Sequence, residues 1–206
     1  MRVIAGEFRS RHLQSLPGLD VRPTPDRLRE TLFNILAPRI KGSVFVDAYA
    51  GTGSVGIEAI SRGAKQAVFI ERNRHAIETI QANLKSLGIR GEGRIIKGPA
   101  ALHLASIQAD IVFLDPPYPL ESEYRTAMEV LGANPPALVI VQHAVRFALP
   151  EKFDSLVRTR VVKQSDNALS FYAPASGPGH HDQLQAPDSS HPAASHPDSS
   201  HQDSSD

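Results

Sequence analysis

The sequence contains no cysteine, which excludes disulfides and favours a reducing compartment. It also lacks any stretch near the roughly 18 apolar residues that a membrane-spanning helix needs. The opening "MRVIAGEFRSRHL" has no continuous apolar segment of the secretory kind. A soluble, cytoplasmic protein is the expectation. At 206 residues the chain is long enough for one domain with a real core.

Net charge is absent too, with 22 basic and 22 acidic residues, but the balance hides an asymmetry. Residues 175–206 hold five Asp and no Lys or Arg, so residues 1–174 carry 22 basic against 17 acidic side chains. Most of that excess lies in residues 1–41, where Arg2, Arg9, Arg11, Arg22, Arg27, Arg29, Arg39 and Lys41 face only Glu7, Asp20, Asp26 and Glu30. A basic front end suits contact with a polyanion, although a solvated arm without a partner has the same composition.

The tail is a different material. "PDSSH" occurs at 187–191 and again at 197–201, and Leu184 is its one large apolar residue. Such a segment cannot offset its ordering entropy, so residues 175–206 are expected to be disordered. Five of the nine histidines lie there. A weak metal site is conceivable, but a solvated tail is the simpler reading, and no metal site is expected. The expected organisation is a basic arm and helix over 1–41, a catalytic domain over 42–174 and the tail.

The first 23 residues read as an extended arm with a turn near Pro17-Gly18. A helix then opens with Thr24 as N-cap, Pro25 in the first helical position and Asp26 suited to the dipole. Leu28, Leu32, Ile35 and Leu36 form its apolar stripe, and Pro38 should end it. Beyond it strands and helices alternate. Strands are expected at 44–48, 67–71, 94–97, 111–114 and 138–142. Helices are expected at 55–62, 74–87, 100–106 and 122–131. Short apolar strands with helical crossovers imply a doubly wound, Rossmann-like α/β domain with a mostly parallel sheet. Two β-rich runs, 156–163 and 168–172, read as an antiparallel closing hairpin.

The first strand runs into "VDAYAGTGSVGIEA". Gly51, Gly53 and Gly56 satisfy G-x-G-x-x-G, and Glu71 ends the second strand where a ribose-binding acid would stand. A dinucleotide would fit that pattern, as would a glycine turn that merely packs closely. Asp47 argues against the dinucleotide, because a pyrophosphate there would face a carboxylate. A ligand with an ammonium and a sulfonium, and no phosphate, suits it better. S-adenosylmethionine is such a ligand, and its ribose leaves Glu71 the same role.

The fourth strand ends in "DIVFLDPPY". Ligands of open α/β sheets bind beyond the carboxyl ends of the strands, so Asp115 to Tyr118 should border the crevice of Asp47. An exocyclic amine of a nucleobase is conjugated with its ring and needs acceptors that orient its hydrogens. Asp115 supplies one and the Pro116 carbonyl a second. The prolines fix the loop beforehand, and Tyr118 offers a face on which an unstacked base can lie.

"DPPY" resembles the amino-methyltransferase motif of class I S-adenosylmethionine enzymes. Together with "MRVIAGEFRSRHL", "RPTPDRLRETLFNIL" and "DAYAGTGSVGIEAISRGA", it resembles the RsmD-type 16S ribosomal RNA guanine-N2 methyltransferases over about residues 1–173. The resemblance implies methylation of one small-subunit guanine on N2, with 16S rRNA, free or in an assembling subunit, as partner, and a monomeric enzyme. It implies cofactor contacts from Asp47, Gly51, Thr52, Gly53, Glu71 and Arg72. Asp115, Pro116 and Tyr118 would hold the guanine. Arg2, Arg9, Arg11, Arg22, Arg27 and Tyr118 would contact RNA. There are departures: "DAYAGTG" stands where the family often has "DLFAGSG", Pro99 offers the adenine neither a side-chain acceptor nor an N–H, and Gln142 stands where an acid is frequent. The alternatives are a DNA adenine-N6 or cytosine-N4 methyltransferase, a nucleotide-binding regulator or oxidoreductase on the same fold, or a catalytically silent RNA-binding scaffold.

Overall fold

The computed structural model describes residues 1–15, 26–116 and 121–175. The expected tail, Arg22, the Pro17-Gly18 turn, the Thr24-Pro25 helix start and Tyr118 lie outside them. Five parallel strands come first: β1 Val44–Asp47, β2 Gln66–Glu71, β3 Gly93–Lys97, β4 Ile111–Leu114 and β5 Leu138–Ala144. They are followed by β6 Lys152–Phe153, β7 Leu156–Gln164 and β8 Asn167–Pro174. The sheet order is β3-β2-β1-β4-β5-β8-β7-β6, with β8 antiparallel to both β5 and β7. The expected parallel sheet and closing hairpin are therefore present. The order reverses between β1 and β4, so a crevice opens at their carboxyl ends.

The helices are α1 Asp26–Ile40, α2 Ser54–Ser61, α3 Arg74–Leu87, α4 Ala100–Leu104 and α5 Glu121–Ala133. Strand alternation divides their packing. Val46, Val112, Val139 and Val141 face Leu104 of α4 and Tyr124, Met128 and Leu131 of α5. On the opposite face Phe45, Phe113 and Ile140 meet Leu28, Leu32 and Leu36 of α1 and Val55 and Ala59 of α2. Each fully buried leucine of α1 contributes about 2 kcal/mol. The helix also buries Arg29 and Phe33, which the apolar stripe alone does not pick out. It does not stop at Pro38. That proline sits in its last turn, where one lost N–H bond is tolerated because Ile40 is buried in the core. Asn73 caps α3 by accepting from His75 N and Ala76 N, and Gly88 closes it in the left-handed conformation. Strand β6 is too short to leave a sequence signal. Among the described residues, no helix is long and apolar enough to cross a membrane.

Residues 1–15 are extended only at their ends and close on one another. Arg2 bridges His12, Ser10 N donates to Val3 O at 2.9 Å and Leu13 N to Met1 O at 2.9 Å. Val3 and Leu13 anchor this loop in the cluster of Ile57, Phe69 and Ile80. Polar side chains do the rest. Glu58, with no exposed surface, accepts from Ile4 N at 2.8 Å, Ala5 N at 3.0 Å and Arg62 Nε at 2.7 Å. Arg29 Nε lies 4.0 Å from the same carboxylate, and its Nη2 donates to Arg2 O at 2.6 Å. Arg62 also covers the Phe33 ring at 5.2 Å. Ser61 Oγ donates to Ala5 O at 2.6 Å and accepts from Phe8 N at 3.0 Å.

Replacing Glu58 by Ala removes the acceptor of two backbone amides and of Arg62, and takes away one of the two carboxylates beside the buried Arg29, whose Nη2 keeps Asp26 at 3.0 Å. We expect a loss of about 3–5 kcal/mol in urea unfolding, together with faster amide exchange at Ile4 and Ala5. Wild-type exchange at those two amides in the variant would show that another group holds the arm.

Candidate active site at the carboxyl ends of the parallel strands

Asp47 is the last residue of β1 and is 2% exposed. Its Oδ2 accepts from Gly56 N of α2 at 3.0 Å. Burial pushes the carboxyl up to about 7; the Gly56 N–H pulls it down, and the charge of Glu71 raises it further. The loop above it turns at Gly51 and Gly53, both with positive φ, and Gly53 precedes α2 as its N-cap. A Cβ on Gly51 would enter open space, so the glycine leaves a shallow cradle over the loop. A Cβ on Gly56 would overlap the Phe69 ring. That glycine is there to let α2 lie against β2.

Glu71 ends β2 and is partly exposed. Its Oε2 accepts from Gly51 N at 2.8 Å, and its Oε1 from Arg72 N and Asn73 N at 2.8 Å each. A carboxylate offers about four acceptor positions, so at least one remains. Arg72 points across the mouth to Glu123 Oε1 at 3.4 Å. Tyr49, in the loop after β1, donates to Glu123 Oε2 at 3.0 Å. Burial and the Glu123 hydrogen bond both push its phenol up. The Tyr of "DAYAGTG" thus has a polar partner that a phenylalanine would not. Thr52 is partly buried, and its carbonyl accepts from Asn83 Nδ2 at 3.0 Å. Asn83 also accepts from Gln14 N at 2.7 Å, so it joins this loop to the arm. After β3, Gly98 N donates to Glu71 O at 3.0 Å, and Pro99 is exposed at the start of α4.

Asp115 and Pro116 follow β4 directly, the first half-buried and the second buried. Since Asp47 pairs with Phe113, Asp115 stands two residues beyond the level of Asp47 on the neighbouring strand. Tyr124 of α5, 2% exposed, places its hydroxyl 3.3 Å from Pro116 O and 3.2 Å from Gln142 O. The roles of Asn83, Glu123 and Tyr124 leave no mark in the local sequence, because each acts through a partner distant in the chain. Only the hydroxyl of Tyr49, inside the glycine motif, gave a local signal.

Among the proposed RNA-contacting residues, Arg2, Arg9, Arg11 and Arg27 are all exposed. Arg11 is partly committed, its Nη2 donating to Ser86 O at the end of α3 at 3.0 Å. Among the described residues, no group of three or more His, Cys, Asp or Glu could hold a metal ion.

The conserved hypothetical protein 95 family matches residues 1–173. YlbH of Bacillus subtilis is 34% identical over 181 residues, spanning 84% of this chain and 98% of its own length. Ribosomal RNA small subunit methyltransferase D of Escherichia coli is 38% identical over 155 residues, 73% of this chain and 78% of that protein. The solved structure of yhhF from Escherichia coli superposes with a TM-score of 0.75 at 33% identity, over 84% of this chain and 97% of that one. The sheet, with its antiparallel carboxyl-terminal strands, is that of the class I methyltransferases. The chain belongs to the conserved hypothetical protein 95 family, that of the RsmD-type methyltransferases.

Proposed function

We propose that this protein transfers a methyl group from S-adenosylmethionine to the N2 amino group of a guanine in 16S ribosomal RNA, as a monomeric cytoplasmic enzyme. The observation that carries the reading is the register of β1 and β4, which brings Asp115 and Pro116 to the edge of the crevice that starts at Asp47. The Escherichia coli relative named for small-subunit rRNA methylation supports the substrate class.

The residues present fit the cofactor. Asp47 places a buried carboxyl under the glycine loop, whose ionised form favours a cationic ligand over a pyrophosphate. Glu71 retains acceptor capacity for ribose hydroxyls, and the open side of Gly51 leaves room for the methionine moiety. Thr52, Gly53 and Arg72 would complete that wall. Bound there, S-adenosylmethionine supplies a methyl group on a positively charged sulfur, a strong electrophile with a neutral leaving group.

The chain's own residues then act on the amine. Asp115 and the Pro116 carbonyl accept its two N–H bonds, which turns the nitrogen lone pair out of conjugation with the ring. The amine must lose a proton once the new C–N bond has formed, and Asp115 is the carboxylate placed to take the hydrogen bond of that N–H. Tyr118 would stack on the base. A guanine in a paired helix is not free to enter such a pocket, so the surrounding backbone must be held. Arg2, Arg9 and Arg27, with Arg11 and Arg22, would do this through phosphates, which add affinity without reading sequence.

Mapping modified nucleotides in 16S rRNA from cells lacking the protein tests the reading as a whole: one guanine should lose its N2-methyl group. With purified protein, Asp115→Ala should reduce transfer by at least about 100-fold, a factor typical of one lost transition-state contact. Its cofactor affinity should stay within a few-fold. Wild-type turnover in that variant would remove Asp115 from the chemistry.

Asp47 gives a pH-dependent expectation. Its folded value of about 7 lies above the ordinary 3.8. Between those values the folded chain holds a proton that the unfolded chain has released, so stability falls as pH rises through this window. Asp47→Asn should therefore stabilise the ligand-free protein at pH 8 by about 2–4 kcal/mol, with little effect below pH 4, while weakening S-adenosylmethionine binding. Unfolding at several pH values and calorimetry measure the two. Tight binding of NAD by the wild type would instead favour an oxidoreductase.

For the arm, Arg2→Ala with Arg9→Ala should flatten the slope of log RNA affinity against log salt by about one to two, and cofactor affinity should not move. An unchanged slope would place the RNA contact elsewhere.

A further inference from the structure

Gln142 lies near the carboxyl end of β5 and is 3% exposed, and its Oε1 has no hydrogen-bond partner among the described residues. An acceptor buried in this way costs stability, and its neighbours in the sheet show why the fold does not satisfy it. Across β8 it faces Leu169, which has no donor. On the other side Leu114 pairs with Val141, so the residue one step on is Asp115, whose carboxylate also accepts.

Alternation places the side chain. Leu138 and Ile140 belong to the face covered by α1 and α2, and Gln142 follows them with a period of two. Asp115 shares that face, two residues after Phe113. Asp47 does as well, since its carboxylate meets Gly56 of α2. One face of three adjacent strands thus presents Asp47, Asp115 and Gln142 in lateral order at their carboxyl ends. From the other face the Tyr124 hydroxyl lies within 3.3 Å of Pro116 O and 3.2 Å of Gln142 O, which fixes the two backbones relative to each other.

We infer that Gln142 Oε1 accepts the ring N1–H of the target base and makes Gln142 a specificity-determining residue. This rests on the guanine-N2 reading above. Chemistry decides the base. In guanine two ring nitrogens flank the exocyclic amine, N1 with a hydrogen and N3 with a lone pair. In adenine and cytosine the one ring nitrogen beside the amine carries a lone pair. An acceptor on the N1 side of the amine therefore pairs with guanine and repels the other two. A site built around a substrate N–H rejects the analogue that lacks it far more strongly than a merely fitted pocket does.

The test uses rRNA fragments in which the mapped guanine is kept or replaced by 2-aminopurine, which retains the 2-amino group but has no hydrogen on N1. Wild-type protein should prefer guanine by about 10⁴-fold in kcat/KM. Gln142→Met should lower the guanine rate and leave the 2-aminopurine rate nearly unchanged, so that the preference falls to about 10-fold or less. Gln142→Glu, which keeps an acceptor and has no donor when ionised, should retain most of the preference. Cofactor affinity and melting temperature serve as folding controls, and the Met variant should melt no lower than the wild type. If wild-type protein methylates guanine and the Met variant lowers both substrates equally or neither, the inference is overturned while the guanine-N2 reading stands. Loss of the preference in the Glu variant overturns the acceptor assignment. If wild-type protein methylates no guanine at N2 in the fragments or in assembling subunits, the reading itself fails and this inference with it.

Discussion

A carboxylate without exposed surface holds the front of this molecule in place. Glu58 takes two backbone amides of the arm, the Arg62 guanidinium and the charge of Arg29, so its desolvation is answered by hydrogen bonds on several sides. The arm itself contributes few large side chains to the core, with Val3 and Leu13 its fully buried anchors. Without the buried carboxylate its basic residues would sit on a loose strand. With it, Arg2 and Arg9 are presented from a closed loop at fixed positions, and less ordering remains to be done when a polyanion binds.

The same logic extends to the crevice. Asn83, with no exposed surface, accepts from Gln14 N at the end of the arm and donates to Thr52 O in the loop beyond β1. One amide group therefore sets the distance between the segment proposed to meet RNA and the segment proposed to meet the cofactor. The acids of the crevice are held differently from one another. Three backbone N–H groups satisfy Glu71, whereas Asp47 has Gly56 and is otherwise enclosed. Asp47 is the group whose ionisation burial makes costly, so a cationic ligand beside it would gain most from it.

Much of this was legible in the sequence, and the reasons are specific. Most strands of the parallel sheet are short apolar runs, and Gly63 and Gly88 follow two of the helices between them, so the order of these elements along the chain and their bounds could be read within a residue or two. Asp47, Glu71 and Asp115 could be read because each ends such a run. What could not be read depends on partners distant in sequence. Glu58 looks like a solvated helix residue in "VGIEAIS"; only the packing of residues 1–5 against α2 makes it buried. The continuation of α1 past Pro38 follows from the burial of Ile40, a tertiary effect. Gln142 gave no clue to its meaning until β8 placed Leu169 beside it and β4 placed Asp115.

Glu123 connects the two halves of the site. It stands in the first turn of α5, three residues after the segment that follows Asp115 and Pro116, and it receives both the Tyr49 hydroxyl and the Arg72 guanidinium. Tyr49 belongs to the loop after β1 and Arg72 to the end of β2. The helix that follows the proposed target-base loop is thereby tied to both walls of the proposed cofactor crevice. Tyr124, the next residue, faces the opposite way and reaches Pro116 O and Gln142 O. Two adjacent residues of one helical turn therefore address the two sides of the proposed site separately. On the proposed reading, a shift of α5 would disturb the amine acceptors and the cofactor walls together, so the alignment of amine and methyl donor would depend on a helix that contributes no reacting group.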